Sequence, residues 1–216
     1  MTTTPRARRI GATDSPPPRR IGATDSKSRA RLLDAAEALM LDEGYAAVTS
    51  RRVAARARLK PQLVHYYFRT MDDLFLEVFR RRADENLARL DRAVAADGSL
   101  HTLWQLNADP SGAAFTIEFV ALANHRKAIR AEIARYAERF RAAQLDALTA
   151  ALETHGIAEQ VPPIVALLLM TGLSQVLALE QALGVTAGHD ATRSFVEHTL
   201  DRLEPGGDRG RAASSR

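Results

Sequence analysis

The chain has 216 residues and no cysteine, which excludes disulfides and thiolate metal sites and makes a reducing cytoplasm the expected compartment. Its formal net charge of +4 is unevenly spread: residues 1–82 carry 17 Lys and Arg against 9 Asp and Glu, whereas 83–204 carry 10 against 16. A basic head on an acidic body is what a duplex-binding domain joined to a non-binding domain should show.

The first 26 residues contain a tandem repeat, RRIGATDS at 8–15 and again at 19–26, separated by Pro16, Pro17 and Pro18. With so little to bury, this segment is expected to be a disordered basic arm, able to lie along phosphates or in a minor groove. No apolar run follows the early arginines, so it does not read as a secretory signal. Leu32, Leu33, Ala36, Leu39 and Met40 recur at helical spacing and predict a helix over 27–43, stopped at Gly44. A second helix, Ser50 to Ala57, puts Val53, Ala54 and Ala57 on one face and Arg51, Arg52 and Arg56 on the rest. Leu59 is the apolar residue a tight turn would bury. Pro61 suits the first position of a third helix and pushes Lys60 towards an extended conformation. On that helix Val64 and Phe68 face inwards, leaving Gln62, Leu63, His65, Tyr66 and Tyr67 outward or sideways. Two short helices around such a turn describe a helix-turn-helix.

Thr70 can cap the next helix, whose first turn holds Asp72 and Asp73. It should run to Ala96, a rod of roughly 36 Å, and be the only element long enough to touch both halves. Further on, Trp104 falls on a short helix, Phe115, Phe119 and Leu122 stripe another, and Ile129, Ile133, Tyr136, Phe140, Ala143 and Ala147 stripe a long one ending at Gly156. Glu118, Asn124 and Gln175 are polar residues in apolar surroundings, suited to orienting a ligand. Residues 160–179 carry no charge, a length that would span a bilayer. Pro162, Pro163, Thr171, Ser174 and Gln175, and the lack of basic flanks, argue instead for a helix buried on two sides, one of them by a partner subunit. Asp190 to Leu203 supplies a companion, with Phe195, Val196, Thr199 and Leu203 on one face, and 205–216 reads as a loose tail. No GxSxG, GxGxxG or GxxxxGK stretch occurs, and the six histidines form no i, i+4 pair. No catalytic residue, metal or cofactor is therefore expected, and no membrane partner.

The stretch GYAAVTSRRVAARARLKPQLVHYYFRTMDDLF resembles the DNA-binding domain of the tetracycline-repressor (TetR) family of transcriptional regulators, from near Lys27 to near Arg80. The Tyr66–Phe68 ending, followed by a polar link and an acidic helix start, is its most specific part. Three positions depart from the family pattern: Arg58 stands for a turn glycine, Lys60 for a capping Ser or Thr, and Met71 for a phosphate-contacting lysine. The resemblance implies an all-α fold with a helix-turn-helix domain over 27–72 and a regulatory domain over 73–204. It places duplex contacts on Ser50, Arg51, Arg52, Lys60 and Pro61, and on Gln62, Leu63, His65, Tyr66 and Tyr67. Gln62 and Tyr66 are the expected base readers, while Arg51 and Arg52 add salt-dependent affinity. A small, largely apolar effector is expected among Trp104, Phe115, Glu118, Phe119, Leu122, Tyr136 and Gln175. The last two helices should form a four-helix homodimer interface through Leu173, Val176, Leu177, Phe195 and Thr199. The expected function is a repressor that binds a palindromic operator and is released by that effector. The alternative is a dimeric small-molecule-binding protein whose helix-turn-helix no longer reads DNA.

Overall fold

A computed structural model describes residues 26–159 and 161–204; the arm expected before Ser26 and the tail after Glu204 lie outside the described residues. Among those described, every regular element is helical. In chain order they are α1 (Lys27–Glu43), a 3-10 turn (Tyr45–Ala47), α2 (Ser50–Ala57), α3 (Gln62–Tyr67), α4 (Met71–Ala96), α5 (Leu100–Asn107), α6 (Pro110–Ala123), α7 (Lys127–Thr154), α8 (Pro163–Ala182) and α9 (His189–Leu203).

Local chemistry sets the boundaries. Gly44 ends α1 at φ 83°, a conformation that costs glycine little, and its N–H bonds the Met40 carbonyl. Thr70 and Asp73 form a reciprocal capping box at the start of α4, each side chain accepting from the other's backbone N–H. The 26 residues of α4 extend about 39 Å. Ser99 caps α5 by accepting from the Thr102 N–H at 3.1 Å. The buried Glu204, just past α9, also receives the Leu100 N–H at 2.7 Å, which fastens the end of the last helix to the start of α5. His101 and His155 approach the same carboxylate at 2.8 and 3.3 Å. Burial opposes the charged form of His101, but the bond to Glu204 and the pull of Glu197 and Asp201 outweigh it and raise its pKa.

Two apolar cores result. The first joins α1–α4 of the head, and it does not stop at residue 72: Leu74, Phe75, Val78 and Phe79 of α4, Phe115, Phe119 and Leu122 of α6, and Ile129 of α7 all belong to it. The second, in the body, gathers Leu90, Leu100, Trp104, Leu148, Leu167 and Leu200. The expectation that α4 alone reaches both halves is therefore corrected. The 28-residue α7 runs beside α4 in the same direction, with Arg126 paired to Asp72 and Glu132 to Arg80, and α6 packs against α1. Glu118 closes that second joint, its carboxylate accepting the Tyr45 N–H at 2.7 Å.

Helix α8 is the one described helix long and apolar enough to cross a membrane, with a mean hydropathy of 1.7 and only 17% of the window buried. Leu167, Ser174 and Leu177 face the protomer core. Val165, Leu169, Gly172, Val176, Leu179 and Leu183, spaced by three and four, form the opposite stripe, and all of the large residues in it are exposed. Leu177 was expected in the subunit interface. Its place is the protomer's own core, 7% exposed, and Leu173 packs partly against that core too. Phe195 on α9 is 71% exposed and Val176 on α8 is exposed as well.

Candidate functional site

The head presents its polar face through α2, the turn and α3. Val53, Ala54, Ala57, Val64 and Phe68 are buried, which fixes both helices against α1 and α4. What remains outside is Arg51, Arg52, Arg56, Arg58, Lys60, Pro61, Gln62, His65 and Tyr66. Thr49 caps α2 through its side-chain oxygen, and the Arg31 guanidinium donates to the carbonyl of Ala57 at the other end. Ser50 is half-buried at the helix start. Leu63 and Tyr67 are less available than the sequence suggested. Both pack on the head core, and the Tyr67 hydroxyl lies 2.7 Å from that of Ser26, so these two support α3 more than they present a surface. Tyr66 meets Tyr67 edge to face at 5.0 Å and keeps its own ring in solvent.

Arg58 holds the tight turn at φ 54°, ψ 45°, a left-handed conformation with a steric cost of about 1 kcal/mol for a residue with a Cβ. It is the only described non-glycine residue with positive φ. Replacing the exposed Arg58 by Gly is expected to raise stability by about 1 kcal/mol, read as a higher urea midpoint at unchanged slope. An unchanged or lower midpoint would mean the turn is not strained. The α3 N-terminus has no side-chain cap, as the Lys60 substitution implied, and Met71 packs partly against the core.

Electrostatics on this face is partly self-compensated. Arg52 donates to both carboxylate oxygens of Glu43 at 2.5 and 2.6 Å, and Arg56 to Asp42 at 2.6 Å. The Arg52 hydrogen bond holds Glu43 below the usual carboxylate range. Arg51 has no carboxylate within ion-pair distance among the described residues. No local pattern announces these pairs, because acids at the end of α1 meet α2 only through the fold.

A cavity of about 240 Å³ opens between α4, α6, α7 and α8. Of the seven residues expected around an effector, Phe115, Tyr136 and Gln175 line it. The other four lie elsewhere. Phe119 and Leu122 are fully buried in the head core, Glu118 holds Tyr45, and Trp104 belongs to the body core and to a second cavity of about 250 Å³ beside Ser174 and Arg193. Their helices were right, but a helix of this kind has apolar neighbours on two sides, and spacing alone does not say which side faces the void. Sequence reasoning missed the polar lining: Arg82, Asn86, Arg89, Asp109, Arg141 and Gln144. The buried Gln144 donates to Asn107 at 3.0 Å, Asn86 to the Tyr136 hydroxyl at 3.3 Å, and Arg89 to Asp109 at 2.7 Å. Burial pushes the Tyr136 hydroxyl above the usual tyrosine range, so it stays neutral.

Residues 32–78 match the model of a family described as bacterial regulatory proteins, tetR family. No curated protein matches the chain. Among solved structures, it is similar to a protein from Rhodococcus sp. described as a TetR-family transcriptional regulator, at 21% identity and a TM-score of 0.66, covering 82% of this chain and 99% of that one. It is also similar to the fatty acid degradation regulator FadR from Bacillus halodurans, at 16% identity and a TM-score of 0.63, covering 87% and 99%. A third similar structure is the multidrug binding protein EbrR, complexed with imidazole, at 25% identity and a TM-score of 0.53, covering 84% and 97%.

Proposed function

We propose that the chain, whose residues 32–78 match the tetR-family model, is a DNA-binding transcriptional regulator of that family, a cytoplasmic, non-catalytic repressor released from its operator by a small ligand with a largely apolar body. Residues 27–72 form its DNA-binding domain and 73–204 its regulatory and dimerisation domain. The observation that carries this reading is a shared wall. Helices α4 and α6 line the cavity with one part of their length and pack into the head core with another. A ligand that prefers one arrangement of those helices therefore biases the head. EbrR, complexed with imidazole, supports a small-molecule role for a protein of this shape. The homodimer rests on the exposed stripe of α8 and on Phe195, with Val176 and Thr199 kept from the expected set and Leu169 added.

The test is a gel shift with the region upstream of the coding sequence, at several salt concentrations. Specific binding should weaken steeply with salt as phosphate contacts release counterions. Gln62, exposed on α3, can pair an adenine edge in two hydrogen bonds. Gln62→Ala is expected to relax discrimination at one base position by about 1–3 kcal/mol, whereas Arg51→Ala should lower affinity on every sequence. If the two variants lose affinity equally on all duplexes, the division of roles is wrong. If the wild type binds no duplex, the second reading holds: a ligand-binding dimer with a degenerate helix-turn-helix, as the strained Arg58, the uncapped α3 and the occupied Arg52 would favour.

A further inference from the structure

We propose that the effector is an uncharged aromatic molecule carrying an O–H or N–H group, which it donates to the side-chain carbonyl of Gln144. This rests on the reading of the α4–α8 cavity as the effector site and names its ligand class.

The charge around this cavity is answered inside the protein or by solvent. Arg89 pairs with Asp109 at 2.7 Å, Arg82 is already paired, with Glu37 among its partners, and Arg141 is exposed. The apolar lining is rich in rings, Phe79, Phe115, Tyr136 and Phe140, the last two stacked with centroids 5.5 Å apart. Its volume of about 240 Å³ is below the roughly 300–1,000 Å³ of drug-sized sites, so a ligand of few rings fits.

Gln144 is the buried polar side chain in this lining. It stands one turn beyond Phe140 on α7 and is 3% exposed. Neighbouring bonds fix which way its amide points. A backbone carbonyl only accepts, so Asn107, bonded to that of Leu103 at 2.9 Å, must turn its amide N–H there and its own carbonyl towards Gln144. Gln144 then meets that carbonyl with its nitrogen, at 3.0 Å. Its Oε1 is left on the other side, and among the described residues nothing donates to it. The oxygen is not sealed in by packing either, and so opens on the cavity. A buried acceptor without a donor is costly, and a ligand that brings one relieves that cost. A carboxylate would bring a further acceptor instead.

Equilibrium dialysis of the full-length protein against 2-naphthol or 2-methoxynaphthalene, each read by its own ultraviolet absorption, isolates the donor. The ether keeps the oxygen and loses its hydrogen. Both compounds are uncharged at pH 7, and the ether is the more apolar, so burial alone favours it. In the wild type the naphthol should nonetheless bind about fivefold more tightly, the factor a net neutral hydrogen bond supplies. Gln144→Met keeps the length of the side chain without the acceptor. It should lose the preference and hold the ether as tightly as the wild type does, which a misfolded protein would not do. Asn107→Leu keeps Gln144 but frees its amide to turn, so that the ether can accept an N–H and should gain affinity. Equal affinities in the wild type overturn the donor assignment and leave the effector site standing. A preference that persists in Gln144→Met, or an ether that gains nothing in Asn107→Leu, overturns the role of Gln144. If the wild type binds neither compound, the effector-site reading falls, and this inference with it.

Discussion

Leu169→Arg is expected to convert a dimer into monomers and to reduce operator affinity by about 10²–10⁴-fold, the factor that tethering two binding modules supplies. Leu169 is 66% exposed in the protomer, so the arginine meets no clash there and the subunit should fold with near-normal stability. The cost appears only on association. In a two-fold interface the same stripe faces itself, so an arginine near the axis is buried opposite its own copy. Two like charges are then desolvated without a partner, which costs far more than the leucine contact they replace. Gly172 lies in the same stripe with nothing within 4 Å of where a Cβ would stand, leaving room for a close backbone approach. A palindrome is read by two recognition helices about 34–36 Å apart, and a monomer offers only one. Gel filtration and a gel shift on one preparation check both halves. A wild type that is already monomeric at micromolar concentration, or a monomeric variant with full operator affinity, would defeat the assembly. Leu177→Arg is a poor substitute, since Leu177 is in the protomer core and its loss would unfold the subunit.

The contrast between Leu169 and Leu177 shows where sequence reasoning loses its grip. On an amphipathic helix the polar face declares the apolar one, and the head was legible for that reason. Val53, Ala54 and Ala57 on α2, Val64 and Phe68 around α3, and the Thr70 cap of α4 are all where spacing placed them. Helix α8 has no polar face to set its phase, so its inner and outer leucines read alike. The cavity was hidden for the opposite reason. Arg82, Arg89 and Arg141 look like solvated positions on mixed helices, yet all three line a cavity because α4 and α7 are covered by α6 and α8. The pairs Arg52–Glu43 and Arg82–Glu37 join residues from different helices, and no local pattern announces them. Aromatic residues on α6 suggested a ligand, but only Phe115 reaches the void. Phe119, one turn further on, fills the joint to the head instead.

That joint should be the most sensitive point of the protomer. Phe119→Ala is expected to destabilise it by about 3–5 kcal/mol, the transfer term plus the cavity left behind. The phenyl ring is fully buried, with centroids 4.5 Å from Phe115 and 5.2 Å from Phe79, so the lost aromatic contacts add to the lost burial. Relaxation offers little relief, because the walls belong to different helices, each held elsewhere: α4 by its capping box and α6 by the Glu118 bond to Tyr45. Against a typical total of about 5–15 kcal/mol, the loss leaves a small margin. For a chain of this size it corresponds to a drop in Tm of about 6–20 °C, measured at matched protein concentration because dimerisation also contributes. Ile117→Ala provides the comparison: it lies on the same helix, has the same helical backbone and is 36% exposed, so its cost should be much smaller. The head's grip on α6 predicts a further consequence. With Phe119 removed, operator affinity measured well below Tm should fall more than in Ile117→Ala, since α1 loses part of the surface that positions α2 and α3. If the two variants melt together, the head is not fastened through Phe119. If they differ in melting but bind the operator equally, α6 stabilises the head without setting its geometry.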